Sequence, residues 1–545
     1  MKRSALLLML LVAGLGLGAD REVTYERLRA ASQEPHNWLT YSGNYAGWRY
    51  SPLKQITTAN VEQLAVQWVF QTGALGKFEA TPLVIDGIMY VTGQRDLAFA
   101  LDARTGRLLW RSQRRLPEKL LVCCGEVNRG FAALGHKLFW ATLDAHLVAL
   151  DAKTGGVVWD VEAADYRQGY SFTVAPLVVK DKVIVGVAGG EYGIRGFIDA
   201  YDANTGRRAW RFYTTPGPGE PGHETWAGDS WKTGGAPAWV TGSYDPELNL
   251  VYWGTGNPGP DLYGDERKGD NLYSDCLVAL DADTGKLKWY FQATPHDLHD
   301  WDTTHVPMLL DLEWGGRPRK LLANANRNGF FYVLDRTNGQ FLFAKPFVRV
   351  TWAKEIGPDG RPVMLPGTDP TPEGNYQCPG LNGGTNWMSP SYNPQTGLCY
   401  VTAMEQCHKY FSSPQSYRDG HYFFGSAFQP QPGEKGWGAL RAIDPRTGEI
   451  KWEFKHYSMA WGGTLSTAGG LVFTGDTEGY SMAFDAKTGK VLWHVQTGAP
   501  VYAAPMTYAL DGKQYVVLPA GGALFAAALP DRAVAKETVE TSDKR

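Results

Sequence analysis

The sequence predicts an all-β protein, an eight-bladed β-propeller with tryptophan-docking motifs, and three observations lead there. The first is a recurring phrase: an apolar pair, Asp, two residues, Thr-Gly or Asn-Gly, three residues, then an aromatic. It runs from Ala100-Leu101-Asp102 to Trp110, from Ala149-Leu150-Asp151 to Trp159, from Ala200-Tyr201-Asp202 to Trp210, and from Ala279-Leu280-Asp281 to Trp289. Further copies lead from Val333-Leu334-Asp335 to Phe343, from Ala442-Ile443-Asp444 to Trp452, and from Ala483-Phe484-Asp485 to Trp493, and a partial copy, Leu64-Ala65-Val66-Gln67-Trp68, makes eight. The second observation is composition: 64 Gly and 20 Trp in 545 residues, with 20% charged residues, favour short strands and tight turns over helical bundles. The third is another apolar strand pair between phrases, such as Thr81-Pro82-Leu83-Val84-Ile85 leading to Met89-Tyr90-Val91-Thr92, which brings each unit to four strands.

Within a phrase, alternating apolar residues ending in Asp form a strand, and Asp-x-x-Thr-Gly turns the chain with Gly at positive φ. The next strand carries an aromatic wide enough to wedge between neighbouring sheets. The aromatics are spaced unevenly, and the Gly/Pro-rich additions at about 214–236, 257–272 and 351–385 read as loops, where function concentrates.

Met1-Lys2-Arg3, an apolar run from Ala5 to Leu15 and small residues up to Ala19 read as a secretory signal peptide over 1–19. Residues 20–530 then form a single propeller domain with the catalytic site, and the charged stretch 531–545 reads as a disordered tail. No later stretch is long and apolar enough to span a bilayer, so an exported, periplasmic chain with no transmembrane segment is expected. Its six cysteines would stand where disulfides persist. A net charge of -3 without a basic block excludes nucleic acid as a partner, and the absence of Cys-x-x-Cys-His excludes an attached c-type haem.

Cys123 and Cys124 are neighbours. Adjacent Cα atoms are ~3.8 Å apart, below the usual disulfide range, and a bond between them closes almost no loop. Such a bond shapes a site more than it stabilises a fold. Three further segments are Ala188-Gly189-Gly190-Glu191, Gly254-Thr255-Gly256-Asn257-Pro258 and His299-Asp300-Trp301-Asp302.

From about Asn37 to Leu529, the phrase and these segments resemble the pyrroloquinoline quinone (PQQ) dependent alcohol dehydrogenases, the methanol/ethanol dehydrogenase family. The resemblance implies PQQ as cofactor, with the Cys123–Cys124 disulfide against one face and Trp239, in Gly234-Gly235-Ala236-Pro237-Ala238-Trp239, under the other. It places Glu79, Arg129, Thr173, Gly189, Gly190, Asn386 and Trp461 around the quinone, and it pairs Cys378 with Cys407 around the Asn386 loop. Glu191, Asn257 and Asp300 are implied as metal ligands, an oxygen-only set that suits a hard cation and argues against zinc or copper. Asp302 resembles the extra carboxylate of the lanthanide-dependent members, so a lanthanide(III) ion is expected, with calcium as the alternative. A trivalent ion asks for one more anionic ligand than a divalent one.

The implied reaction is oxidation of a primary alcohol to an aldehyde. Asp300 takes the hydroxyl proton as hydride passes to the quinone, and Arg327 donates toward the quinone oxygen. A separate soluble cytochrome c would accept the electrons. The rival readings are a quinoprotein acting on sugars or polyols and a non-catalytic assembly propeller, and a homodimer is an open possibility. Where the methanol-oxidising members resemble Asn-Pro-x-Pro-Trp, this chain has Asn257-Pro258-Gly259-Pro260-Asp261. A wider substrate pocket is therefore expected, favouring longer alcohols by roughly 0.8 kcal/mol per buried methylene.

Overall fold

The computed structural model describes residues 22–531, so the expected signal peptide lies outside it, as does all of the expected tail except Asp531. Among the described residues, the helices are the single α-helix Tyr25–Arg29 and a few 3-10 turns, and the rest of the regular structure is β. Eight sheets have four strands or more. Seven of them span, in chain order, 83–113, 132–162, 177–213, 243–292, 308–346, 391–455 and 465–496. The eighth combines the strands of 506–528 with Ala65–Gln71 from the other end of the chain, Ala65 opposite Ala528. The sheet of 465–496 gains a fifth, parallel strand, Tyr50–Ser51.

Burial follows position within each sheet. Leu97–Asp102 is buried almost throughout, whereas the edge strand Leu108–Gln113 is exposed or half-buried. An inner strand packed on both faces reads as a continuous apolar run, so the apolar stretch Leu97-Ala98-Phe99-Ala100-Leu101 belongs there.

The phrase turns as expected. Asp102 Oδ1 accepts from the Arg104 and Thr105 N–H groups at 2.9 and 3.1 Å, and Gly106 follows at φ 71°. Each of these glycines has a second duty. A Cβ on Gly155 would sit 2.7 Å from the Trp110 indole, and one on Gly285 would sit 2.5 Å from that of Trp210. The turn of one sheet therefore lies flat on the aromatic of the sheet before it, at a distance only glycine permits. The indole N–H completes the joint. Trp110 donates to the Ala152 carbonyl at 2.9 Å, Trp210 to Ala282 at 3.1 Å and Trp452 to Ala486 at 3.1 Å. Trp493, in the seventh sheet, donates to Leu64 at 2.9 Å, at the start of the strand that completes the eighth. Phe343 has no donor but still packs on Gly448.

Two insertions differ from the loops expected. Part of 351–385 forms a hairpin, Ala353–Ile356 with Pro362–Met364, about a Pro358-Asp359-Gly360 turn. Residues 406–436, between Leu398–Glu405 and Trp437–Ile443, form a further excursion with two short strands, His408–Tyr410, which pairs with Asn375–Gln377, and Phe428–Pro430, which pairs with the other side of His408–Tyr410.

Candidate active site

The loops joining the sheets enclose a cavity of about 310 Å³. Its wall contains Glu79, Cys123, Cys124, Arg129, Thr173, Gly189, Glu191, Trp239, Asp300, Asp302, Arg327, Asn386 and Trp461. Residues far apart in sequence thus share one chamber. Gly190 and Asn257 stand just behind it: a Cβ on Gly190 would lie 3.7 Å from Asn257 Oδ1 and 2.9 Å from the Pro237 ring. At Gly189, φ is 116°, and a Cβ there would lie 2.0 Å from the Gly169 carbonyl, so this turn requires glycine.

One side of the chamber is aromatic and basic. Arg129 pairs with Glu79 at 2.5 Å, donates to the Thr173 carbonyl at 3.1 Å and lies 4.7 Å over the Trp239 ring. Burial pushes the Glu79 carboxyl up, and the Arg129 guanidinium opposes it. Trp387 stacks on Trp461 at 4.6 Å, with the Lys77 ammonium 5.6 Å from the Trp387 ring. The Asn386 amide donates to the Asn382 carbonyl at 3.0 Å, and its oxygen accepts the Trp387 N–H at 3.0 Å. Cys378–Cys407 is bonded near the base of that loop, and Cys123–Cys124 is bonded within the wall. Both vicinal sulfurs and a Glu191 carboxylate oxygen lie within 4.8 Å of one another. As disulfide atoms, these sulfurs are not thiolate ligands. Cys276 and Cys399 are buried thiols whose pKa burial pushes well up.

The other side is a carboxylate cluster around one guanidinium. Asp302 accepts from the Asn257 N–H at 2.6 Å, the Trp239 indole at 2.8 Å and Arg327 Nη1 at 2.7 Å. Arg327 Nη2 reaches Asp300 at 3.0 Å. The Asp300 backbone is left-handed, at φ 61°, a strained setting for a residue with a side chain. Burial pushes the Asp300 carboxyl well up, Arg327 pulls it down, and Asp302 and Glu191 add to the rise. Glu191 is pushed up to about 7, chiefly by burial. Three carboxyls, Asp302 buried and Glu191 and Asp300 half-buried, share one guanidinium and are short of positive charge, and with the Asn257 amide oxygen they form an oxygen-only donor set. That chemistry fits a hard, multiply charged cation.

Several wall residues had no signal in the sequence: Lys77, Val127, Ser171, Leu381, Asn382 and Trp387. The 406–436 excursion also supports the cluster from outside. Phe423 N–H donates to the Glu191 carbonyl at 2.7 Å, Leu262 N–H donates to Phe424 at 2.9 Å, and Tyr192 packs on Tyr422 at 4.8 Å. Asp261, expected at the substrate pocket, is buried and lies off the cavity wall.

The scaffold of docked sheets thus brings an aromatic wall, a buried arginine and an oxygen-donor cluster into one chamber. Comparison narrows this. The model of the PQQ glucose/ethanol/alcohol dehydrogenase β-propeller domain matches residues 38–351 and 361–516, and the chain belongs to that family. The break in the match falls on the Ala353–Ile356 hairpin. The quinoprotein alcohol dehydrogenase PedH of Pseudomonas putida is 42% identical, over 95% of this chain and 91% of its own. The lanthanide-dependent methanol dehydrogenase of Methylacidiphilum fumariolicum is 39% identical, over 91% of this chain and 86% of its own. A europium-containing methanol dehydrogenase structure superposes with a TM-score of 0.88 at 37% identity, covering 92% of this chain and all of that one.

Proposed function

We propose that the chain is an exported, periplasmic quinoprotein that oxidises primary alcohols to aldehydes with PQQ and a lanthanide(III) ion, and passes the electrons to a separate cytochrome c. The observation that carries the metal reading is Asp302, a buried third carboxylate beside the half-buried Glu191 and Asp300. A PQQ family with a lanthanide-dependent relative supports it, and calcium is the alternative. We read the eight large sheets as eight blades of one ring, supported by the Trp493 to Leu64 joint and by the sheet shared between 65–71 and 506–528.

Glu191, Asn257, Asp300 and Asp302 would hold the ion. Trp239 and the Cys123–Cys124 disulfide would flank the cofactor, with Glu79, Arg129, Thr173, Gly189, Gly190, Asn386 and Trp461 around its edge. When bound, PQQ supplies a hydride acceptor and the ion polarises its carbonyl as a Lewis acid. Asp300 takes the hydroxyl proton of the alcohol onto a carboxylate oxygen, where its fixed backbone keeps it aimed into the chamber. Arg327, held by Asp300 and Asp302, presents N–H donors toward charge developing on an oxygen in the same chamber. The aromatic walls of Trp239, Trp387 and Trp461 exclude water.

The test is reconstitution of the full chain with PQQ and either lanthanum or calcium, followed by quinone absorbance and turnover on methanol to hexanol, glycerol and glucose. Quinone binding with lanthanum-dependent oxidation of primary alcohols is expected. Full activity with calcium alone would overturn the metal reading, a preference for glucose or glycerol the substrate reading, and failure to bind PQQ the whole proposal.

A further inference from the structure

Asp261 has no part in the chemistry above, yet its setting is unusual. Its side chain is 0% exposed, and neither carboxylate oxygen makes a hydrogen bond among the described residues. The groups acting on it are Asp300, Glu191 and Asp302, which repel its charge, and the Asn257 side-chain amide, which attracts it. Those are the four residues read above as the ion's ligands. Arg267, also buried nearby, attracts the Asp261 charge, but its N–H donors are spent elsewhere, on the Pro260 carbonyl at 3.0 Å, the Asp297 carbonyl at 2.6 Å and Asn271 Oδ1 at 2.9 Å.

The segment cannot relieve this by swinging outward. Arg267 holds the Pro260 carbonyl, the Phe424 carbonyl holds Leu262 N–H at 2.9 Å, and Ser412 Oγ donates to the Leu262 carbonyl at 2.6 Å. Asp261 is therefore clamped on both sides with its carboxyl inside. A buried carboxyl without a partner is costly, and Asn or Leu at this place would avoid that cost. A carboxylate here becomes favourable when a cation sits among the four surrounding residues.

We propose that Asp261 sets the charge preference of the metal site by adding a fourth carboxylate to the Glu191, Asp300 and Asp302 cluster. The proposal rests on the reading that Glu191, Asn257, Asp300 and Asp302 bind the metal. Each extra anionic charge favours a trivalent over a divalent ion in proportion to their charges, and changing a group in the outer shell of a metal site typically costs 10–100-fold in metal affinity.

The experiment measures lanthanum and calcium affinities of the PQQ-loaded full chain by calorimetry and by displacement of terbium, whose emission the nearby Trp239 sensitises. Wild type is compared with Asp261→Asn and Asp261→Ser. Expected is a fall of at least ~10-fold in lanthanum affinity relative to calcium in both variants, with metal-free melting temperatures equal to or above wild type because an unpaired buried group has gone. An unchanged lanthanum-to-calcium ratio in variants that bind both ions would overturn the role of Asp261 alone. A large drop in metal-free melting temperature in both variants would also overturn it, by making packing the reason for Asp261. Failure of the wild-type chain to bind either ion would instead remove the ligand reading beneath it.

Discussion

Gly256→Ala tests the metal cluster without touching a charge. The Gly256 backbone is not left-handed, so alanine is admissible there and the added methyl acts only through space. That Cβ would stand 2.4 Å from Asp302 Oδ1 and 2.9 Å from the Pro237 ring. Ordinary contact begins near 3.4 Å, so the carboxylate must retreat by about 1 Å. The retreat breaks the 2.6 Å bond from Asn257 N–H and draws Oδ2 off Trp239 and Arg327. Losing one hydrogen bond to a buried carboxylate costs about 1.5–3 kcal/mol, and displacing a ligand by this much should lower metal affinity by about 10–100-fold. The assay pairs terbium titration of the PQQ-loaded chain with thermal unfolding. It is repeated in an Asp302→Ala background, where the methyl meets only the Pro237 ring and the affinity loss that runs through the carboxylate should largely vanish. A loss in Gly256→Ala that persists undiminished in the double variant would refute the reasoning, as would wild-type affinity in the single one.

Asp300→Asn keeps an oxygen but removes the proton acceptor, so quinone absorbance should survive while turnover falls at least ~10²-fold; near-normal turnover would move the base elsewhere. Gentle reduction and alkylation of Cys123–Cys124 should reduce turnover with little change in melting temperature, because the bond closes no loop; a melting shift as large as that from losing Cys378–Cys407 would contradict it. Asp96, fully buried, is pushed up to about 8, mainly by burial, against the Leu143 N–H bond. Its folded value thus lies above its unfolded ~3.9, so its contribution to stability is complete below pH ~4 and is lost as pH rises toward 8. Asp96→Asn should flatten the decline of stability between pH 5 and 8 relative to wild type, and equal slopes in denaturant titrations would rule this out.

Local chemistry was readable in the sequence, and assembly across sheets was not. Asp102, Gly106 and Trp110 announce a turn and an aromatic because their roles depend on a few neighbours in the chain. That Gly155 needs to be glycine for Trp110 as well as for its own φ becomes visible only when one sheet lies against the next. Most of the proposed site residues do meet in one chamber, yet the sequence placed them there through resemblance, since Glu79, Arg129 and Trp239 share no period. Trp387 and Lys77 were missed for that reason, and so was the 406–436 excursion, whose grip on Glu191 uses backbone groups that any residue supplies. Asp261 was read against a family tryptophan and therefore assigned to the pocket, when the clamps on Pro260 and Leu262 direct it inward. The 353–364 hairpin did have a cue, Asp359-Gly360, submerged in a Gly/Pro-rich stretch.

The strand Ala65–Gln71 is made long before its partner Ala523–Ala528. Until that partner exists, the strand has an unpaired edge. Any chain cut short before residue 523 is left with an unfilled strand position and with Trp493 docked beside an unmet edge. A copy that stops short of residue 523 cannot hide this strand edge and advertises itself to proteases and chaperones. The same arrangement delays closure of this sheet until residue 528 has been made.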